Sequence, residues 1–423
     1  MIVCARCRLP HPLTAWALAL LAPMLLAAPR AALAQAATEK PIVIGVPTPT
    51  QTQAGRDTQD ALAMLVEDLN AHGGILGRKL RLAVEDETET PARGVAAIDR
   101  LIDKKVDVLI GGNSSAVTLA QLPHIIAAKT IYLGIGVVAP TTPQAKGKPG
   151  PASPKYIFRT NPMSSDHLAE SITELLTTLG KPDLAIRKVA FLGENAPGAQ
   201  ELVPILKKSL ATKGIQVPVV DLFDPETSDF SPLLTKARDA GIDFMVTLLS
   251  HSSSEILAKQ WYDTRFPAPY GGFDVVADDA DFFTRVDGKA IGEIVGTPVP
   301  DAPITPATQP FYAAFRGRYE GRRPSYAAFG AYDALLAYKA AVERAQTTAA
   351  DAVATALEKT DLQGVRGRLV FDDRHEARYG PGYLQTYWRQ WQGGGKRVFL
   401  YPRESATGTF QMPPWLSKKT STN

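Results

Sequence analysis

Val106-Asp-Val-Leu-Ile-Gly-Gly-Asn-Ser-Ser-Ala-Val-Thr118 is the most informative segment of this 423-residue chain. Its apolar start, 106–110, predicts a buried strand, and Gly111-Gly112 predicts a tight turn into a helix. Ligands of open parallel sheets bind outside the carboxyl ends of the strands, which is where this turn would lie. The N–H groups and hydroxyls at a helix N-terminus suit an anion such as a carboxylate. The competing interpretation is that Ser114 or Ser115 is only an N-cap.

Strands and amphipathic helices alternate on both sides of this segment. In the first part of the chain, strands are predicted at 42–46, 80–84 and 131–135, with helices around 60–70 and after Pro91. A polar loop is predicted at 48–53, and a surface loop rich in proline, glycine and lysine at 139–154. The alternation then resumes, with strands predicted at 189–192, 217–222, 244–249 and 270–273. This pattern predicts the α/β class, with two successive halves whose parallel sheets are covered by helices on both faces.

The last third of the chain departs from strict alternation. Residues 300–360 are predicted to be mostly helical, and strands are predicted at 368–371, 383–391 and 398–401. The late tryptophans are expected to pack in the core instead of stacking on a ligand.

Residues 1–36 have the features of a secretory signal peptide. Arg6 and Arg8 form a charged start, 16–28 is an apolar run, and small residues at 32–36 suit cleavage. The apolar run is short for a membrane span, which favours a cleaved signal over a retained anchor. No later stretch is apolar enough to span a membrane, so we expect a soluble periplasmic protein.

Composition excludes several classes of function. Both cysteines, Cys4 and Cys7, lie in the predicted signal, so the mature chain would have no thiol chemistry, disulfide or cysteine metal site. The whole chain has 46 basic and 43 acidic residues, and loss of the three arginines of the signal leaves 43 of each. Such a near-neutral balance gives no reason to expect nucleic acid or an anionic membrane as a partner.

The motifs that would indicate an enzyme are missing or incomplete. Gly134-Ile-Gly136-Val-Val-Ala139 follows a predicted strand, but Pro140 prevents the helix that a dinucleotide site needs. The six histidines are scattered, and Asp278, Asp279 and Asp281 lack the spacing of a calcium loop. No nucleophile and base form a recognisable set. We therefore expect no enzyme activity, no cofactor and no metal.

Seven short motifs, in this order and spacing, resemble the type I periplasmic solute-binding proteins of the leucine/isoleucine/valine-binding branch. They are Ile44-Gly-Val46, Asp68-Leu-Asn-Ala-His-Gly-Gly-Ile-Leu-Gly77, Glu85-Asp86, Ile110-Gly111 with Ser114-Ser115, Phe158-Arg159-Thr160, Asp229-Phe-Ser-Pro-Leu-Leu234 and Ile242-Asp-Phe244. The resemblance covers almost the whole mature chain. It implies two Rossmann-like lobes with parallel sheets, joined by a three-crossover hinge.

The resemblance also implies lobe boundaries. The N-terminal lobe would comprise 40–158 and 300–366, and the C-terminal lobe 159–299 and 367–415, followed by a tail at 416–423. The crossovers would lie near 158–160, 296–300 and 367–371.

In the family, the solute carboxylate binds the helix N-terminus after the third strand and the turn after the fourth, which correspond to Ser115 and 136–138 here. An acidic residue of the second lobe pairs with the solute amine, and Asp274 matches it. Val138 replaces a frequent hydroxyl residue, and Ala54 stands where an aromatic is common. The residues implied to bind the solute are Thr48, Gln51, Asn113, Ser114, Ser115, Gly136, Val137, Val138, Glu194, Asn195, Ser250, His251 and Asp274.

Several alternatives stay open at this stage. Asp274 could be a turn cap, and His251 could be a satisfied structural histidine. The main hypothesis is the substrate-binding component of an ABC importer, a monomer that closes on an amino acid or another carboxylate-bearing solute and docks on permease subunits. The roomier pocket keeps an aromatic acid or amide open as the ligand. A periplasmic ligand sensor is the second hypothesis, because one fold serves both roles. An exported enzyme is the third.

Overall fold

The computed structural model describes residues 40–88, 90–137, 155–179, 184–299 and 302–416. The predicted signal peptide, the loop predicted at 139–154, and Val138 lie outside the described residues. The tail prediction falls outside them as well, apart from its first residue.

The first sheet consists of five parallel strands in the order β2-β1-β3-β4-β5. The strands are β1 (Ile42–Thr48), β2 (Leu80–Asp86), β3 (Val108–Gly111), β4 (Ile131–Gly134) and β5 (Ile157–Arg159), and the helices between them are α1 (Gln53–Ala71), α2 (Pro91–Asp103) and α3 (Ser115–Ala127). The predicted strand and helix types are confirmed. The predicted polar loop at 48–53 is wrong in extent, because Thr48 ends β1 and α1 already begins at Gln53.

The early start of α1 has a local cause. The Thr52 side chain caps the helix by accepting a hydrogen bond from the Gly55 N–H group at 3.0 Å. The apolar residues of α1 at helical spacing, Leu62, Leu65 and Leu69, are buried in the core as predicted. The sequence did not reveal where α1 starts, because its first two turns lack apolar residues at helical spacing.

The second sheet begins after β5, where the chain crosses to a new group of elements. These are α4 (Ser165–Leu179), β6 (Lys188–Glu194), α5 (Pro197–Ala211), β7 (Gln216–Phe223), α6 (Ser231–Asp239), β8 (Phe244–Leu249), α7 (Ser253–Asp263), β9 (Tyr270–Asp274), α8 (Phe282–Arg285) and β10 (Ile294–Thr297). Strands β6 to β10 pair in parallel. The sequence pattern did not predict β10, which lies where a crossover was expected.

The chain then returns to the first sheet and crosses once more. Helices α9 (Thr308–Arg318), α10 (Tyr326–Ala345) and α11 (Ala350–Leu357) lead to the hairpin of β11 (Asp361–Gln363) and β12 (Arg368–Val370), and then to β13 (Tyr387–Gln392) and β14 (Lys396–Tyr401). Helix α10 packs on α1 and β3, whereas β13 and β14 add an antiparallel edge to the second sheet, whose order is β14-β13-β10-β9-β8-β6-β7. The predicted start of β13 at 383 is four residues too early.

The chain therefore passes between the two sheets three times, after β5, after β10 and after β12, as the prediction of a three-crossover hinge requires. Two buried arginines join the crossing segments. Arg159 pairs with Glu376 at 3.2 Å, and Arg366 pairs with Asp333 at 3.1 Å while donating to the Thr160 carbonyl at 2.9 Å. The placement of both sheets supports the predicted lobe boundaries, which stay a prediction.

Candidate functional site

The turn between β3 and α3 has the geometry that the sequence predicted. Gly112 has φ +90°, and a Cβ at this position would overlap the Tyr132 hydroxyl. Ser114 is extended, and its carbonyl accepts from the Thr118 N–H group at 3.0 Å, but its side chain makes no capping hydrogen bond. The N-cap interpretation therefore does not account for the Ser114 hydroxyl. Ser114 and Ser115 are half-buried at the start of a 13-residue helix.

Three of the predicted residues meet around this turn. The Asn113 side chain lies 3.5 Å from the Thr48 hydroxyl, and Thr48 donates to the Gly55 carbonyl at 3.3 Å. Gly136 lies against the ring of Tyr326, whose hydroxyl is 3.5 Å from Asn113 Oδ1. The sequence reasoning missed Tyr326, which arrives from α10, more than 200 residues later in the chain.

The other predicted residues of the first lobe are less informative. Val137 is buried, and Val138 lies outside the described residues. Gln51 is exposed, and its carbonyl accepts a hydrogen bond from Arg56 Nη1 at 2.6 Å.

In the second lobe, Glu194 organises the turn between β8 and α7. Its side chain is 4% exposed and accepts from the His251 N–H group at 2.9 Å, from His251 Nδ1 at 2.7 Å and from the Ser253 hydroxyl at 2.9 Å. Burial acts to raise the pKa of Glu194, but the hydrogen bond and charge of His251, together with the backbone and Ser253 hydrogen bonds, outweigh it, so the pKa lies below its ordinary value. The His251 ring is 45% exposed and remains accessible to solvent.

Asp274 makes the bonds of a turn cap. Oδ1 accepts from the N–H groups of Val276 and Ala277 at 3.0 and 2.9 Å, and Oδ2 accepts from the Ser254 hydroxyl at 2.5 Å. The residue is 2% exposed, and burial raises the pKa of its carboxyl to about 7. The turn-cap interpretation that the sequence left open thus describes the observed bonds.

Asn195 and Ser250 are exposed at the ends of neighbouring strands of the second sheet. The Asn195 side chain accepts from Gln200 Nε2 at 2.9 Å. Glu194, Asn195, Ser250, His251 and Asp274 thus follow the carboxyl ends of β6, β8 and β9, which is the edge where a parallel sheet binds ligands.

A cavity of about 880 Å³ lies between elements of the two lobes, and none of the predicted site residues that the structure describes lines it. Its first wall comes from the start of α1 and from α9 with the loop after it, and its second wall comes from the residues around α8 and from β14. The lining residues are Gln53, Arg56, Asp279, Ala280, Asp281, Arg285, Gln309, Tyr312, Arg316, Glu320, Gly321, Arg322, Arg323 and Arg397. The sequence did not predict this cavity, because its lining residues come from separate elements.

Among the described residues, no three histidine, cysteine, aspartate or glutamate side chains are grouped so that they could hold a metal ion. No helix within the same residues has both the length and the apolar composition needed to cross a membrane.

The profile of the periplasmic binding protein family matches residues 41–395. The chain belongs to the periplasmic binding protein family. A relative from Brucella abortus (strain 2308), called Leu/Ile/Val-binding protein homolog 1, is 23% identical over 367 residues, covering 83% of this chain and 91% of the relative.

Solved structures share the fold of this periplasmic binding protein. A putative branched-chain amino acid ABC transporter protein from Silicibacter pomeroyi superposes with a TM-score of 0.75 at 20% identity, covering 89% of this chain and all of the other. An ABC transporter solute-binding protein from Rhodopseudomonas palustris, in complex with benzoate, gives a TM-score of 0.71 at 17% identity, covering 90% of this chain and all of the other.

Family membership confirms the prediction of a solute-binding protein instead of an enzyme. The α/β class with two sheet-based lobes is confirmed as well.

Proposed function

We propose that this periplasmic binding protein is the substrate-binding component of an ABC importer and that its lobes close on a small carboxylate-bearing solute. The observation that carries the proposal is the start of α3, where Ser114 and Ser115 follow Asn113. The Tyr326 hydroxyl lies 3.5 Å from Asn113 Oδ1, and the Tyr326 ring lies against Gly136. A 13-residue helix presents donors and partial positive charge at this end, and its first turn contains no acidic residue.

The second lobe supplies the other face of the site. His251 is held by the buried Glu194 and keeps a partly exposed ring, so it is placed to contact a bound acid. Closure of the lobes about the three crossing segments would bring this face against the solute, and bound solute would favour the closed state by contacting both faces.

The bonds of Asp274 favour an acid without an amine over an α-amino acid. Both carboxyl oxygens already accept hydrogen bonds from the protein, and the side chain is almost fully buried. Tyr326 places an aromatic ring beside the carboxylate position. The relatives fit either class, since one is called a Leu/Ile/Val-binding protein homolog and another structure contains benzoate.

The remaining parts of the proposal follow from the class of protein. Residues 1–36 would direct export and be cleaved, the mature protein would work as a monomer in the periplasm, and the closed form would dock on permease subunits. Loss of solute uptake on deletion of the gene supports transport, whereas intact uptake with a lost transcriptional response supports a sensor.

The test of the site is calorimetry on mature protein refolded to remove carried ligand. The titrants are leucine, benzoate and benzamide. Leucine tests an acid with an amine, benzoate tests an acid without one, and benzamide tests a neutral amide. We expect benzoate to bind more tightly than benzamide. We expect Ser115→Ala to weaken acid binding by about 1–2 kcal/mol, because a charged group loses a hydrogen-bond partner.

The control variant is Ser231→Ala, which changes the first residue of α6, an exposed helix start outside the proposed site. It should leave the affinity unchanged. Equal affinities of Ser115→Ala and the parent protein would show that the carboxylate site lies elsewhere.

A further inference from the structure

The cavity between the lobes adjoins the proposed carboxylate site through the first turn of α1. Thr48, at the carboxylate site, donates to the carbonyl of Gly55, and Gly55 stands between the cavity residues Gln53 and Arg56. Gln53 Nε2 also donates to the carbonyl of Arg323 at 3.3 Å. The two sites therefore share one short piece of backbone.

A second connection runs through the start of α10. The Ser325 N–H group donates to Asp57 Oδ2 at 2.7 Å, which fixes this loop against α1. Arg322 and Arg323 precede Ser325 and line the cavity, whereas Tyr326 follows it and lies at the carboxylate site. Along the chain, only Pro324 and Ser325 separate Arg323 of the cavity from Tyr326 of the carboxylate site.

The lining of the cavity is strongly cationic. It contains six arginines and three carboxylates, although the mature chain as a whole is near neutral. Two of these carboxylates, Asp279 and Asp281, pair with a single arginine, Arg285, which also pairs with Glu255 outside the lining at 2.8 Å. Of the other five arginines, Arg322 pairs with Asp57 and Asp60 outside the lining, and Glu320 is the remaining carboxylate of the lining.

The size and chemistry of the cavity fit an organic anion. Its volume of about 880 Å³ lies within the range of small-molecule pockets. A guanidinium group can bind a carboxylate through two parallel hydrogen bonds, and these charge-assisted bonds are stronger than neutral ones. Tyr312, under the Arg323 side chain at 5.9 Å, adds an aromatic wall.

We infer that the arginine-lined cavity binds a second acidic group of the solute, so that the physiological ligand is a dicarboxylic acid. This inference rests on the proposed function, because it assigns the first carboxylate to the start of α3. The second carboxylate lies among the arginines, and the body of the solute lies beside the first turn of α1. An importer with this component would select dianions over monoanions of the same shape.

The experiment compares matched acids by calorimetry on ligand-stripped mature protein: benzoate with terephthalate, and pentanoate with glutarate. For at least one pair, we expect the dicarboxylate to bind about tenfold more tightly, the effect of one added charged hydrogen-bonding group. This advantage should shrink as salt is raised, since the partly open cavity admits counterions.

Two variants test whether the tighter binding of dicarboxylates depends on the cavity. Arg316→Gln and Arg323→Gln should each weaken dicarboxylate binding severalfold and leave monocarboxylate binding unchanged. Arg316 is exposed, so its replacement should not disturb folding. The matched control is Arg318→Gln, two residues further along α9, whose side chain pairs with Glu67 outside the cavity. It should change neither affinity.

The outcomes separate this inference from the proposed function. If dicarboxylates bind no more tightly than the matched monocarboxylates while Ser115→Ala still weakens binding, the inference is wrong and the carboxylate site stands. If none of the four acids binds, both are wrong. An advantage that persists in Arg316→Gln and Arg323→Gln would also overturn the inference, because the second acidic group would then bind elsewhere.

Discussion

At the scale of single residues, the glycine-to-serine turn after β3 shows how backbone conformation prepares a site. Glycine is required at position 112 for two reasons. Its φ is positive, and the Tyr132 hydroxyl lies where a Cβ would be. The Tyr132 side chain is fully buried and cannot easily move away. Any larger residue at 112 should therefore disturb the turn that carries Asn113, Ser114 and Ser115.

We expect Gly112→Ala to lower the free energy of unfolding by about 2–4 kcal/mol, because backbone strain and a steric overlap act together. Urea unfolding followed by circular dichroism measures this change. The control is Gly214→Ala, since Gly214 has φ +72° but open space around its Cβ position. Its free energy of unfolding should fall only by the cost of the backbone strain, about 1 kcal/mol. Equal effects at the two positions would contradict the steric argument.

The sequence could identify only those site residues that lie close together in the chain. Asn113, Ser114 and Ser115 follow a recognisable strand and glycine turn, so local pattern was enough to find them. The arginines of the cavity come from α1, α8, α9, the loop after α9, and β14, and only the folded chain brings them together. The pairing of Glu194 with His251 likewise joins residues 57 positions apart.

At the scale of elements, buried carboxyl groups link the last parallel strands of the second sheet. Asp274 ends β9, Glu293 precedes β10, and Tyr270 begins β9, all almost fully buried. Burial, followed by the neighbouring Asp274 carboxylate, raises the pKa of Glu293 well above its ordinary value. The folded protein therefore holds protons here that the unfolded chain releases near pH 4.

These raised pKa values set the direction of a pH effect. Their contribution to stability is fully present below the ordinary carboxyl pKa and declines as pH rises through the raised pKa of each group, which is about 7 for Asp274. We expect Glu293→Gln to lose less stability than the parent protein between pH 5 and pH 8, because a neutral amide replaces one titrating group.

Urea unfolding at both pH values measures the difference, with Glu226→Gln, at an exposed position, as the control. The control should show the same loss between pH 5 and pH 8 as the parent protein. Parallel behaviour of Glu293→Gln and the parent protein would rule out Glu293 as a source of the pH dependence.

Apolar periodicity predicted most strands and helices, since the buried face of each element carries its signal. It missed β10, a strand of only four residues, Ile294–Thr297, that includes a glycine and ends at a crossover. It also placed the start of β13 too early, at 383. The residues before Tyr387 have strand-like composition, but only 387–392 find partners in the sheet.

At the scale of the whole molecule, the segments that cross between the lobes are joined by buried charge. Arg366 pairs with Asp333 of α10 and donates to Asn161 and to the Thr160 carbonyl, each at 2.9 Å. It therefore connects the first and third crossings. Phe158 stacks on His375 with ring centroids 4.0 Å apart, which adds an apolar contact between the same crossings.

We expect Arg366→Met to lower the free energy of unfolding by about 3–5 kcal/mol, because it leaves the Asp333 carboxylate buried without its cation. The double variant Arg366→Met with Asp333→Leu should recover part of this loss. The control is Arg368→Met, which breaks an exposed pair with Asp361 and should change stability by less than about 1 kcal/mol.

Urea unfolding of the four proteins gives these values. If Arg366→Met is no more destabilising than Arg368→Met, the buried pair is not a structural link of the hinge.

The order of strands in the second sheet also constrains how the newly made chain can fold. Strands β13 and β14 complete this sheet from residues 387–401, and Trp415 then packs on Trp261 with ring centroids 4.7 Å apart. A ribosome must therefore release almost the entire polypeptide before this lobe can close its core. Until then the second sheet has only five of its seven strands, so this half of the chain cannot reach its final packing while it is still being made.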